Sequence, residues 1–303
     1  MKILLISDKE GWSYAAIANI LIKHNKYSDL KISHISCKGN YKKIKSIKNK
    51  FDYYFVLGWQ NTEKLKFLDY SRTIVGVHSH QSFDNRKTTI DRDVNPPKKI
   101  VNYLSRFMAV NTVSKRLNKI LHKSGIDSKY TPNGVDTSVF NFSSKKGFIV
   151  GSTGSIKNDW NKGINSIIKP ACVRSKVKYK FALLEKNRIK YKDMPKFYSP
   201  ISCFVCASKA EGMPLTVLEA ASSGCVVIST RCGDVPLLIQ DGVNGFLVDR
   251  NAREISNKIN YLNKNPDKLR KMSANIRKCI EDKWDWSISS RVWLKFIMDS
   301  ING

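Results

Sequence analysis

No run of about eighteen consecutive apolar residues occurs in this sequence, so no helix of it is expected to span a membrane. The first residues, Met1 to Asp8, meet charge too soon for a secretory signal and are expected to form a β-strand. A disulfide framework is also missing. The seven cysteines (37, 172, 203, 206, 225, 232 and 279) are odd in number and irregular in spacing, which points to a reducing compartment. Cys203 and Cys206 form a C-x-x-C pair, but they lie in an apolar stretch, 201–207, that is expected to be a buried strand. Residues three apart in a strand face opposite ways, so these are expected to be core thiols and not metal ligands or a redox pair. Acidic residues are scarce: 25 stand against 53 lysines and arginines, a formal net charge of +28. Such a field attracts polyanions, either nucleic acid or an anionic membrane surface.

What is present suits a folded enzyme. A hydrophobic fraction of 42% excludes disorder, and 303 residues suffice for two modest domains. Short apolar runs alternate with amphipathic stretches throughout. Strands are expected at 2–6, 30–36, 53–57, 73–77 and 107–110, then at 148–151, 179–184, 203–206, 226–229 and 245–248. Helices are expected at 14–24, 113–124, 215–223 and 253–262. This alternation predicts an α/β chain with two doubly wound, parallel, Rossmann-like sheets, each covered on both faces. The polar stretch 141–146 marks the expected boundary. The first domain is expected to span 1–143 and the second 144–285, with a closing tryptophan-rich helix at 286–303 joining the first. The charge is densest between Lys23 and Lys50, where nine lysines face one acid, Asp29. Lys42, Lys43, Lys45 and Lys48 are the candidate polyanion-binding surface; a solvated helix face is the plainer alternative.

The most informative stretch runs from Ser208 to Thr230. A strand ends near Ser208, Gly212 to Pro214 make a turn, and a helix starts near Leu215, where proline fits the first turn. The N–H groups at such a helix start suit a diphosphate. Glu211 precedes the helix and Glu219 lies within it, eight residues on, so both carboxylates can line one cleft at the carboxyl end of the sheet.

This stretch resembles the E-x7-E motif of the retaining GT-B glycosyltransferases of family 4, the glycosyl transferases group 1 enzymes. The likeness runs through Glu-Gly-Met-Pro-Leu, Leu-Glu-Ala and Val-Val-Ile-Ser-Thr to Gly233-Asp234-Val235-Pro236 and Asp241 to Val248. Pro132 to Asp136, the Lys162-Gly163 pair and Met194 to Tyr198 are similar to further family segments. The resemblance implies a GT-B fold, two Rossmann-like domains facing each other across a cleft that holds a nucleotide-diphosphate sugar. It implies that Glu211 holds donor-sugar hydroxyls and Glu219 the ribose, and that Lys162 neutralises the diphosphate leaving group, helped by backbone amides near Gly212, Met213, Leu215 and Thr216. In the first domain it implies that His78, or else His80, meets the sugar and that Gly11 lets the first loop approach the phosphates. No cofactor or essential metal is implied, and Asp91-Arg92-Asp93 is taken as a solvated loop. The pattern departs in three places. The family's arginine after the first strand of the second domain is replaced by the Gly154-Ser155 region, which moves phosphate binding toward Ser155, Lys157 and Lys162. The first loop has one glycine, and one βα unit between Lys162 and Met194 is trimmed.

The expected activity is transfer of a hexosyl or pentosyl group with retention. The acceptor is nucleic acid, such as hydroxymethylated DNA, or a lipid-linked or surface glycan at an anionic membrane. A non-catalytic binding module on the same fold is the alternative of another class. The chain is expected to be cytoplasmic, working on DNA or peripherally at the inner membrane face, with no stable protein partner.

Overall fold

The computed structural model describes residues 1–79, 83 and 94–303. His80 and Asp91 to Asp93 therefore lie outside the described residues. The chain forms two compact units. The first contains a parallel six-stranded sheet: β1 (Lys2–Ser7), β2 (Lys31–Ser36), β3 (Tyr53–Val56), β4 (Thr73–Val77), β5 (Ala109–Thr112) and β6 (Ser128–Tyr130), in the order β2-β1-β3-β4-β5-β6. Its helices include α1 (Ser13–His24), α2 (Tyr41–Ile47), α3 (Lys98–Leu104) and α4 (Lys115–Lys123). The central strands are apolar on both faces, as a covered parallel sheet demands; Ile3 to Ile6 are all buried.

The second unit carries a parallel five-stranded sheet. Its strands are β7 (Ile149–Gly154), β8 (Lys178–Leu183), β9 (Cys203–Cys206), β10 (Val226–Ser229) and β11 (Gly245–Leu247), ordered β11-β10-β9-β7-β8. Helices α5 (Asp159–Lys162), α6 (Lys169–Arg174), α7 (Met194–Tyr198), α8 (Leu215–Ser222), α9 (Val235–Leu238), α10 (Ala252–Lys264) and α11 (Pro266–Lys283) accompany it. Side chains alternate across this sheet into two separate cores. Phe204, Cys206 and Val227 join one; Cys203, Val205, Val226 and Ile228 join the other. Cys203 and Cys206 thus face opposite ways, both as free thiols. Among the described residues no group of three or more His, Cys, Asp or Glu is placed to hold a metal ion, and no helix is long and apolar enough to cross a membrane.

The last helix, α12 (Trp286–Asn302), belongs to the first unit from Ser287 onward. Trp293 is fully buried, stacks on Phe55 at 6.0 Å and donates from Nε1 to the Pro132 carbonyl at 2.8 Å. Among the described residues the chain passes from the first unit into the second between Pro132 and Asn133, ahead of the polar 141–146 stretch. Two contacts explain why. Asn133 donates to the Met213 carbonyl, and Val135 pairs with Trp284 and Trp286 of the second unit. Lys145, which gave 141–146 the look of a linker, docks instead. Its ammonium caps the ends of two helices through the carbonyls of Tyr198, Ser199 and Ser223. Burial lowers its pKa.

Candidate active site

The loop between β9 and α8 is shaped by groups that take its carbonyls one after another. Arg250 Nε donates to Ala207 O (2.8 Å) and Thr230 Oγ1 to Ser208 O (2.6 Å). Asn161 Nδ2 donates to Ala210 O (3.3 Å), and the Asp234 N–H to Gly212 O (2.8 Å). Asn133 Nδ2 completes the series on Met213 O (3.0 Å). With its carbonyls held by donors from five places in the unit, the loop delivers the start of α8 in one fixed pose. Leu215 and Thr216, its first two positions, have N–H groups without an intrahelical acceptor. Gly212 and Met213 are buried just before them.

Lys162 meets Glu211 beside this helix start. Nζ lies 2.5 Å from Oε1, and both side chains are half-buried. Burial works against the ammonium, but the charge of Glu211 and its hydrogen bond outweigh it, so the Lys162 pKa stands above its ordinary value. Two residues fix the pair. Asn161 is wholly buried, and its Oδ1 accepts from the N–H groups of Lys209 (3.1 Å) and Ala210 (3.0 Å). Arg250 reaches from beyond β11 to the carbonyls of Ala207, Trp160 and Asn161. Together they tie the end of α5 to the residues that precede Glu211.

Glu219 lies on the second turn of α8 and is 6% exposed. Tyr198 OH donates to its Oε2 at 2.9 Å. Burial raises its pKa to about 7, against the lowering effect of that hydrogen bond. Ser155, at the end of β7, donates its hydroxyl to Glu185, which also accepts from the N–H groups of Ile156 (3.0 Å) and Lys157 (3.4 Å). These contacts, the serine's first, keep the Glu185 carboxyl below its usual range.

In the first unit His78 directly follows β4. Its ring meets Tyr14 edge-on at 4.8 Å and Trp293 at 5.8 Å, and burial drives its pKa down to about 3, so it is neutral at any physiological pH. Gly11 adopts φ +70° in the exposed loop before α1. On α2, Lys42, Lys43 and Lys45 are exposed, whereas Lys48 is half-buried and donates to the Phe67 carbonyl at 3.2 Å. The structure thus brings Lys162 and Glu211 into contact within the second unit and places Glu219 in a buried polar niche of its own. Asn161 and Arg250 were not singled out in the sequence, and Tyr198, the last residue of the Met194 to Tyr198 segment, was given no role of its own. Asn161 adjoins Lys162, but nothing in the order of residues marks Arg250 or the Tyr198 phenol.

Residues 177–279, which hold Glu211, Glu219 and Tyr198, match the family model for glycosyl transferases group 1. These residues are about a third of the chain, and over them it is similar to the group 1 glycosyltransferases. The chain is 28% identical over 101 residues to spore coat protein SA of Bacillus subtilis strain 168, covering 32% of this chain and 27% of that protein. It is 38% identical over 96 residues to the sucrose synthase of Melioribacter roseus, covering 29% of this chain and 12% of that protein. The matched part of the chain spans about a quarter or less of the length of these relatives. The fold likeness covers the whole chain. HepE of Anabaena, solved in complex with UDP-glucose, superposes with a TM-score of 0.76 at 16% identity over 100% of this chain and 99% of that one. Sucrose-phosphate synthase of Thermosynechococcus elongatus gives 0.76 at 13% identity over the same shares. The chain has the GT-B fold, built on two parallel-sheet α/β units.

Proposed function

We propose that this chain is a retaining glycosyltransferase that moves a sugar from a nucleotide-diphosphate sugar to an acceptor hydroxyl, and that the acceptor is nucleic acid. The observation that carries the reading is the Lys162–Glu211 pair at the start of α8. There an ammonium and the N–H groups of a helix start can meet the diphosphate, while Glu211 meets the hydroxyls of the sugar. Negative charge builds on the diphosphate as the bond from the anomeric carbon to the phosphate oxygen breaks, and Lys162 with the amides of Leu215 and Thr216 would stabilise it. The new bond to the acceptor oxygen forms on the same face, and the departing phosphate oxygen takes the acceptor proton. Glu219 would hold the ribose. The complex of HepE with UDP-glucose makes a uridine diphosphate sugar the first donor to try.

The choice of nucleic acid rests on charge and on what α2 does with its apolar residues. Leu30 and Ile44 are buried, and Tyr41 and Ile47 pack on the core of the first unit. The lysines therefore face solvent with little apolar surface to insert into a bilayer. The exposed Tyr27 favours a second reading, a glycan at an anionic membrane.

The test is mass gain on either acceptor, hydroxymethylated duplex or anionic vesicles carrying glycolipid, across a panel of nucleotide sugars. Replacing Glu211 by glutamine should lower transfer on the order of 100-fold or more while the thermal melt and far-ultraviolet spectrum hold. Wild-type-like transfer by that variant would remove Glu211 from the mechanism. No product, no donor hydrolysis and no donor binding would leave a binding module on the same fold.

A further inference from the structure

Glu219 combines two observations. It is almost enclosed, and only one of its carboxylate oxygens is engaged. Oε2 accepts from Tyr198, while among the described residues nothing donates to Oε1. The engaging phenol has little freedom. Tyr198 is fully buried, and its ring is boxed by Phe197 at 5.2 Å, Phe204 at 5.8 Å and Phe140 at 6.0 Å. Its backbone is fixed too, because the carbonyl accepts from Lys145 at 3.3 Å and from the Cys225 thiol at 3.7 Å. A rigid donor on one oxygen of a buried carboxylate sets the rotamer of the whole group.

We infer that Tyr198 is a positioning residue for the donor nucleotide: its phenol holds Oε2 of Glu219 so that Oε1 is presented to a ribose hydroxyl. The inference rests on the reading that Glu219 binds the ribose. It assigns Tyr198 no direct contact with substrate.

The same geometry couples nucleotide binding to pH. Glu219 must be ionised to accept from two hydroxyls at once, Tyr198 and the ribose. Among the described residues, the groups around it offer no cation to hold it so. From α7 comes Tyr198. The turn before α7 supplies Tyr191, whose phenol is pushed up by burial and then by the charges of Glu219 and Asp136. From β9 and β10 come Phe204 and Val227, both apolar. On α11, Arg277 gives its guanidinium to the carbonyls of Phe140 and Ser222 and to Glu281. Lys145 is bound to helix-end carbonyls. Burial therefore raises the carboxyl to about 7, and the Tyr198 hydrogen bond is what opposes the rise. Below that pH the carboxyl carries a proton and the ribose loses its acceptor. Removing the phenol leaves burial unopposed and moves the transition upward.

The experiment is calorimetric titration of the full chain with UDP-glucose and with GDP-glucose, whose esterified diphosphates carry no phosphate proton that titrates near pH 6, between about pH 5.5 and 9, for wild type, Tyr198→Phe and Glu219→Gln, beside steady-state rates with the matching donor. Tyr198→Phe should weaken nucleotide-sugar binding about five-fold at neutral pH and shift its acidic limb upward. The donor KM should rise more than kcat falls. Glu219→Gln, which cannot ionise, should lose that limb altogether. An unchanged limb and affinity in Tyr198→Phe overturns the inference, and so does a limb that persists in Glu219→Gln. If the wild type binds neither nucleotide sugar at any pH, the donor reading itself falls and this one with it. That result is distinct from intact binding without pH coupling.

Discussion

At the scale of single residues, the candidate site depends on backbone passing close to backbone. Gly233 has φ +52° and lies against the strand-to-helix loop, where a Cβ would stand 1.7 Å from the Gly212 carbonyl oxygen and 2.7 Å from that of Glu211. No rotamer relieves such a contact, because the obstructing atoms are main chain. Gly233→Ala should therefore cost more than about 2 kcal/mol and impair transfer, since the loop that moves is the one carrying Glu211. Gly242 is the control. Its φ is +75° with nothing within 4 Å of a Cβ, so Gly242→Ala should cost only the strain of the left-handed backbone, about 1 kcal/mol. Equal melting temperatures for the two variants would refute the argument. Both glycines stand in the motif that the sequence displays, yet only the structure separates a required glycine from a tolerated one. Lys162 and Glu211 stood out in the sequence because each sits in a motif. Asn161 and Arg250 did not, because their partners are mainly main-chain groups distant along the chain, and such contacts leave no pattern in residue order.

At the scale of elements, the buried parallel strands were the easiest to read. Strands apolar on both faces give unbroken runs, and 73–77, 203–206 and 226–229 match their observed bounds. Strand β6 was missed because Ser128, Lys129 and Tyr130 form no apolar run at the sheet edge. Helix α11 was missed for the opposite reason: abundant lysine and arginine mask a core stripe at Met272, Ile276 and Ile280, spaced by four. The link between α5 and β11 was equally invisible, and it carries a prediction. Arg250 alone spans the carbonyls of Ala207, Trp160 and Asn161, so it holds the end of β9 against the helix that bears Lys162. Arg250→Ala should destabilise the second unit by about 1–3 kcal/mol and raise the donor KM about ten-fold. Arg250→Lys should not restore it, since an ammonium cannot reproduce the forked donor geometry. Donor kinetics for the pair decide the matter, and a fully active Arg250→Ala would show that the loop keeps its pose unaided.

At the scale of the whole molecule, the property that the sequence states most plainly is charge. An excess of 28 positive charges predicts attraction to polyanions whatever the fold. What the sequence did not show is which lysines stand clear. On α2 the buried Ile44 and the packed Tyr41 and Ile47 turn Lys42, Lys43 and Lys45 outward, while Lys48 is drawn onto the Phe67 carbonyl. The candidate polyanion surface of the first unit therefore has three free-standing lysines on this helix. Each lysine that meets a duplex phosphate adds about 0.9 to the slope of log affinity against log salt. Replacing all three by serine should lower that slope by about 3 and weaken duplex binding at low salt. The melt should hardly move, because none of the three is buried. Nucleoside diphosphate binding, assigned to the second unit, should not change. The measurement is duplex binding by fluorescence anisotropy across a salt series. An unchanged slope in the triple variant would move the polyanion surface elsewhere on the chain. A wild type with no salt dependence would remove nucleic acid as the acceptor and leave the anionic membrane to be tested with vesicles.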